Sequence, residues 1–273
     1  MAVGLVAGCA QELEGGLGGG PPKVPEAPDA ARALLGDAVD RTLAVRSVEA
    51  TMTADVGLGG ADLDYDWSFD DVGVIEGRVV ALGDTVNFEI RSDGTTAWVR
   101  TDDPDVREQL PPGVSWVGGP YGEVLDDDGG LSESDGLRAW FLYLRGAEEI
   151  EDGGTGSVDG VDVRRVSGTI DRAAADEQAT AAERELMDKA FTSESAEEDE
   201  TFAFEVGLDG DRRIRSVDYT ITALDDDSLG LATHVRIVVR RFDQDVALPE
   251  PPPADETVPV DEIPGGIDAL GDD

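Results

Sequence analysis

Hydrophobic and polar residues alternate without interruption through residues 61–70, ADLDYDWSFD. The odd positions, from Ala61 to Phe69, are apolar or aromatic, and four of the five even positions are aspartate. Successive side chains of a strand point to opposite faces, so this stretch predicts a β-strand with one apolar and one acidic face. The apolar face must cover either a packed core or the wall of a ligand cavity.

The same two-residue period recurs along much of the chain. Residues 48–58 alternate in the same way, and Gly59 and Gly60 predict the turn of a hairpin that returns through residues 61–70. The remaining strands are predicted at residues 72–82, 84–91, 95–101, 156–171 (as a hairpin), 202–208, 213–224 and 231–242.

Three segments show apolar residues at helical spacing instead. They are residues 29–46, with Asp29 as the expected N-cap, residues 132–145 and residues 172–191. The acidic run at 192–200 is expected to form a mobile loop, because anions are unfavourable at a helix C-terminus.

Together these elements predict one α+β domain over residues 29–248. About nine to eleven antiparallel strands would form a curved sheet, a half-barrel, wrapped around two or three amphipathic helices. Residues 1–28 are interpreted as a truncated lipoprotein signal with a flexible tether. Residues 249–273 form an acidic, proline-rich tail that is expected to be disordered.

The charge of the chain narrows the choice of partners. The formal net charge is −40, from 61 acidic and 21 basic residues. Nucleic acids and anionic head groups would be repelled, so nucleic-acid binding is excluded as a leading function.

Cys9 is the only cysteine, and it follows Leu5-Val6-Ala7-Gly8. This sequence resembles the lipobox of bacterial lipoproteins, in which the cysteine is diacylated and anchors the protein to a membrane. Only Met1 to Gly8 precede Cys9, whereas a secretory signal needs a basic region and about 7–15 apolar residues. Either the true start lies upstream, or the match is accidental.

Candidate catalytic chemistry is sparse. His234 is the only histidine, which excludes a metal site built on two or three histidines, and no G-x-S-x-G motif is present. Paired carboxylates for glycoside hydrolysis remain an alternative, but no pair stands out. We therefore expect a protein that is not an enzyme and has no cofactor.

The aspartates do not match a calcium loop either. Asp62-x-Asp64-x-Asp66 begins like an EF-hand, but the sixth position is Trp67 and the twelfth is Gly73, where glycine and glutamate are needed. No metal site is predicted.

An apolar concave face remains as the candidate site. Aromatic residues on strand positions that we expect to face inward are proposed as walls of a cavity for acyl chains. These wall candidates are Tyr65, Trp67, Phe69, Phe88, Trp98, Phe204 and Tyr219.

The order of these elements resembles the actinobacterial cell-envelope lipoproteins of the LppX/LprG type, which are similar to the lipoprotein carrier LolA. The similarity rests on the lipobox VAGC, the first helix and strand, SDGTTAWVR, VSWV and the late hairpin FAFEVGLDGDRRIRSVDYTITAL. It implies a half-barrel closed by helices, anchored through acylated Cys9 at the extracytoplasmic face of the cell membrane.

The resemblance also implies an apolar cavity that binds or carries lipid or glycolipid without catalysis. The alternative is an envelope interaction or sensor module with a filled core and a protein partner, whose identity the sequence does not give.

Overall fold

The structure is a computed structural model that describes residues 20–57, 59–81, 83–125, 133–190, 201–222 and 232–263. Cys9 and the acidic run at 192–200 lie outside these residues. The described strands form one open, curved, twelve-stranded sheet, and six α-helices accompany it. The predicted α+β fold class is therefore confirmed, with one strand more than the upper expected number.

The strands are as follows. They are β1 (Ser47–Val56), β2 (Gly59–Ser68), β3 (Val72–Ala81), β4 (Asp84–Asp93), β5 (Thr96–Thr101), β6 (Trp116–Pro120), β7 (Ala147–Val158), β8 (Val161–Asp171), β9 (Thr201–Leu208), β10 (Ile214–Thr222), β11 (Ala232–Phe242) and β12 (Thr257–Pro259). The helices are α1 (Pro28–Leu43), α2 (Pro104–Gln109), α3 (Tyr121–Val124), α4 (Glu133–Leu142), α5 (Arg172–Gln178) and α6 (Ala181–Ala190).

The sheet consists of two meanders joined at one strand pair. Its order is β12-β6-β5-β4-β3-β2-β1-β11-β10-β9-β8-β7. The first meander runs from β1 to β6, with β12 beside β6, and the second runs from β7 to β11. Strands β1 and β11 pair and thereby join the two meanders. Every pairing is antiparallel except β12 with β6. Strand β7 forms one edge of the sheet.

The sheet and the helices enclose one hydrophobic core. On α1 the buried side chains include Leu34, Leu35, Ala38 and Val39, which recur at the helical spacing seen in the sequence. Helix α1 packs against β7 and β10, and α5 packs against β8. The helices thus cover mainly the half of the concave face formed by the second meander.

Several local predictions need correction. Helix α1 begins at Pro28, and its N-cap is Ala27, so Asp29 lies in the first turn; proline is favoured at the first helical position because it lacks an N–H group. Gly59 pairs with Val56 inside the hairpin, so both predicted turn glycines belong to β2. A Cβ on Gly59 would lie 2.5 Å from the Val80 carbonyl oxygen, which explains the glycine there.

The third predicted helix is divided into two. The hydroxyl of Thr180 accepts a hydrogen bond from the Glu183 N–H, and the Glu183 carboxylate accepts one from the Thr180 N–H. This capping box marks the start of α6. The helix predicted over residues 172–191 is therefore interrupted between α5 and α6.

The expected disorder from residue 249 is wrong as far as Ile263, the last described residue of the tail. Val258, Val260 and Ile263 are buried, and Thr257–Pro259 add a parallel strand beside β6. These apolar side chains offset the cost of ordering a proline-rich segment.

Candidate functional site

The concave face of the first meander is uncharged and mainly apolar across β1–β5, but it is covered only in part. The strand register aligns its side chains in four rows across β1–β5. The rows are Val48, Trp67, Gly73, Ser92 and Ala97; Ala50, Tyr65, Ile75, Ile90 and Val99; Met52, Leu63, Gly77, Phe88 and Thr101; and Ala54, Ala61, Val79 and Val86.

Burial decreases from the first row to the fourth. The first two rows are buried apart from half-buried Val99, the third row is half-buried, and Val79 in the fourth row is 38% exposed. We call the apolar part of the last two rows the open strip. It consists of Met52, Ala54, Ala61, Leu63, Val79, Val86 and Phe88.

The open strip follows directly from the alternation in the sequence. Its residues in β2, Ala61 and Leu63, are each followed by an aspartate, Asp62 and Asp64, whose carboxylates project to the opposite face. There Asp62 pairs with Arg78 on β3, and Asp64 pairs with Arg240 on β11 at 3.6 Å. Both carboxylates are thus paired on the convex face, and the strip itself contains no charged residue.

Gly77 allows the strip to be continuous across β3. A Cβ on Gly77 would lie 2.2 Å from the Phe88 ring and 2.8 Å from Leu63 Cδ2. The ring of Phe88 therefore occupies the space above the glycine backbone. With strands about 4.8 Å apart, the strip extends about 14 Å across β1–β4.

Four of the predicted wall residues lie in the first meander on the concave side. Tyr65 and Trp67 are buried in the first two rows, and Phe88 belongs to the open strip. Phe69 is half-buried beyond the first row, with the Arg138 guanidinium 5.1 Å from its ring centre.

Trp98 lies on the convex face, so its assignment to the cavity wall is corrected. It pairs with Arg91 and Gly118, whereas its neighbours Ala97 and Val99 face inward. Both faces of TTAWVRT carry apolar residues, so alternation within this short strand did not define the inward face.

The remaining wall candidates, Phe204 and Tyr219, lie in the second meander and are buried. Tyr219 packs against Trp140 of α4 with ring centres 5.5 Å apart, and Phe202 meets Tyr219 edge-on at 5.4 Å. The Tyr219 hydroxyl donates a hydrogen bond of 2.6 Å to the Trp140 carbonyl oxygen. Burial raises the pKa of Tyr219 well above its usual value, so it remains a neutral donor.

The structure therefore divides the predicted aromatic wall between two environments. Aromatic residues of the second meander pack on α4, whereas most of the accessible strip is aliphatic. Sequence reasoning did not select Leu63, Val79 and Val86, although the alternation of β2–β4 already placed them on the face of Tyr65 and Phe88.

An open cleft of about 580 Å³ is lined by Gly77, Phe88 and Thr101 of the third row and by Glu76, Glu89 and Arg100, which project to the opposite face. Glu76 and Glu89 are directly opposite each other there on β3 and β4. Both carboxylate oxygens of Glu89 accept hydrogen bonds from arginine, one from Arg91 at 2.7 Å and one from Arg100. Glu89 is thus an ion-pair partner of two arginines. Glu76 and Glu89 therefore do not form a pair of free carboxylates of the kind that glycoside hydrolysis needs.

Two further observations bear on the site. His234 lies on β11 with its Nδ1 3.2 Å from the Thr220 hydroxyl. Among the described residues, no helix has the length and apolar content needed to cross a membrane, and no group of three potential metal ligands is present.

Comparisons with known proteins find similarity at the level of the fold. No protein-family model matches the chain, and no curated protein matches it significantly. Lipoprotein LppX of Mycobacterium tuberculosis is 17% identical, with a TM-score of 0.46, over 82% of this chain and 100% of that chain. LprF of Mycobacterium bovis is 18% identical, with a TM-score of 0.47, over 85% and 99% of the two chains.

An uncharacterized conserved protein of Thermus thermophilus is 10% identical, with a TM-score of 0.33, over 84% of this chain and 99% of that chain. LppX and LprF agree with the resemblance seen in the sequence. Likenesses with TM-scores below 0.5 carry no information about a ligand.

Proposed function

We propose that this chain is a non-enzymatic lipoprotein that binds or carries lipid or glycolipid, with acyl chains held on the open strip. One observation carries the proposal. Side-chain burial decreases from the first to the fourth row across β1–β5, but the face remains apolar in the third and fourth rows. An exposed apolar surface without charged residues, such as the open strip, favours aliphatic chains over polar ligands.

The size of the strip is sufficient for measurable binding. Burial of one methylene group is worth about 0.8 kcal/mol, so about eight methylenes would contribute roughly 6 kcal/mol before the cost of association. Anchoring at the extracytoplasmic face of the cell membrane is part of the same proposal, and it rests on the lipobox at Cys9.

The alternative is an envelope interaction or sensor module with a filled core. It is favoured by the tight packing of Trp140, Phe202 and Tyr219 beneath the second meander. The two proposals differ in whether the open strip takes up an apolar molecule.

Substitution of two adjacent valines on β3 tests the proposal. Val79 faces the strip, and half-buried Val80 faces the opposite side of the same strand. We expect the uncharged probe N-phenyl-1-naphthylamine to bind the wild-type protein, and Val79→Asp to weaken binding at least tenfold. Val80→Asp is the matched control and should bind like the wild type.

Probe fluorescence measures this binding, and native mass spectrometry after incubation with a diacylglycerol would show whether a lipid is retained. Absence of binding to the wild-type protein, or equal weakening by the two substitutions, would contradict lipid binding on the strip and favour the filled-core module.

A further inference from the structure

A second cleft lies away from the open strip, between the start of α1 and the edge of the sheet. Its volume is about 710 Å³, and it is open to solvent. It is lined by Pro25, Glu26, Pro28, Ala31 and Arg32 on one side and by residues 149–151, 167–169, Ala203 and Phe204 on the other.

A β-bulge creates the sheet side of this cleft. Glu148 pairs with Thr169 and Glu151 pairs with Ser167, so three steps along β7 match two steps along β8. Glu149 within the bulge adopts a φ of 47°, a left-handed conformation that is uncommon for glutamate. The bulge turns this edge segment away from regular strand pairing.

The floor of the cleft is apolar and closely packed. Phe204 is buried and lies across from Gly168 on β8. A Cβ on Gly168 would be 2.4 Å from the Glu148 carbonyl oxygen and 3.0 Å from the Phe204 ring. Half-buried Ile150 and buried Ala31 add aliphatic surface beside this floor.

The rim of the cleft is anionic. The side chains of Glu26, Glu149 and Glu151 are exposed, and none of these three carboxylates makes a hydrogen bond or an ion pair with the described part of the chain. Arg32 is the one cation in the lining, and its guanidinium is hydrogen-bonded to residues of β7. It donates to the Ala147 carbonyl oxygen at 3.2 Å and to Glu148 at 3.1 Å.

From this combination we propose that the cleft binds an amphiphilic organic cation. An ammonium or guanidinium group would lie among the three free carboxylates, and an attached apolar group would lie on Phe204 and Ile150. The net charge of −40 adds a long-range attraction for cations and a repulsion for anions. This site is separate from the open strip and does not depend on lipid binding there.

Calorimetry with decyltrimethylammonium, below its micelle concentration, tests the proposal. The wild-type protein should bind one molecule in this cleft, more tightly than it binds tetramethylammonium, because only the former has an apolar chain for the floor. The double substitution Glu26→Gln with Glu151→Gln should weaken binding at least fivefold. Binding should also weaken in high salt, where charges are screened.

A control with the same net charge separates the cleft from the general field of the protein. Glu177→Gln with Glu262→Gln removes two exposed carboxylates elsewhere and should leave the affinity unchanged. Val79→Asp should also leave it unchanged, which distinguishes this cleft from the open strip.

Equal weakening by the two double substitutions would show that only the overall charge attracts the cation and would overturn the proposal. Binding of decanoate to the Val79→Asp variant with comparable affinity, or absence of decyltrimethylammonium binding by the wild-type protein, would overturn it as well.

Discussion

Removal of the Tyr219 hydroxyl is a stringent test of the filled half of the core. Tyr219 is 1% exposed, and its hydroxyl donates to the carbonyl oxygen of Trp140 in the last turn of α4. Tyr219→Phe keeps the ring contacts and removes only this donor.

The expected cost follows from the buried acceptor. A hydrogen bond contributes about 1 kcal/mol net, and leaving a buried partner unsatisfied costs about 1–3 kcal/mol. We expect Tyr219→Phe to lower the free energy of unfolding by about 2 kcal/mol, which corresponds to a melting temperature lower by roughly 4–8 °C for a domain of this size.

The pH dependence gives a second, independent readout. The pKa of Tyr219 is raised in the folded protein, so above the unfolded value of about 10 only the unfolded state ionises this group. The wild-type protein therefore loses stability as the pH rises above 10, by an amount on the order of 1 kcal/mol at pH 11 from this group. Tyr219→Phe lacks this loss, so the stability difference between the two proteins should narrow.

Urea unfolding followed by circular dichroism at pH 7 and pH 11 measures both effects. Tyr121→Phe is the control, because its hydroxyl meets Asp71 at 3.2 Å in a partly buried position. A cost for Tyr219→Phe no larger than that for Tyr121→Phe, or a stability difference that does not change with pH, would refute the reasoning.

Two further predictions concern buried contacts. The Thr42 hydroxyl accepts a hydrogen bond of 2.9 Å from the Ile214 N–H. Thr42→Val should therefore lower the free energy of unfolding by about 1–3 kcal/mol, whereas Thr42→Ser, which keeps the hydroxyl, should retain most of the wild-type stability. Equal losses of stability in urea unfolding would contradict this. Gly77→Ala would displace the Phe88 ring from the strip and cost about 1–3 kcal/mol through overpacking. Binding of the naphthylamine probe should weaken in parallel, and unchanged binding would remove Phe88 from the site.

Much of the fold follows from patterns that are local in the sequence. The alternation of β2 sets both its conformation and its faces, because side chains of a strand project with a period of two. The acidic face of β2 has to meet water or arginine, and the structure supplies Arg78 and Arg240. The spacing of Leu34, Leu35, Ala38 and Val39 likewise predicts the buried face of α1.

Local patterns were insufficient where two competing faces are both apolar or where order depends on a distant partner. Trp98 lies on the convex face because the register with β4 and β6 places it there, which a short strand cannot show by itself. The proline-rich segment up to Ile263 is ordered because β6 provides a strand partner and a place to bury Val258.

By itself, the sequence determined that this protein has amphipathic strands, amphipathic helices and a one-sided apolar sheet, because periodicity is a property of neighbouring residues. Only the tertiary structure decided which part of that apolar face the helices cover and which part stays open. Cover depends on contacts between residues far apart in the chain, such as Thr42 with Ile214 and Arg32 with Ala147. The open strip exists because the helices leave the far end of the first meander uncovered.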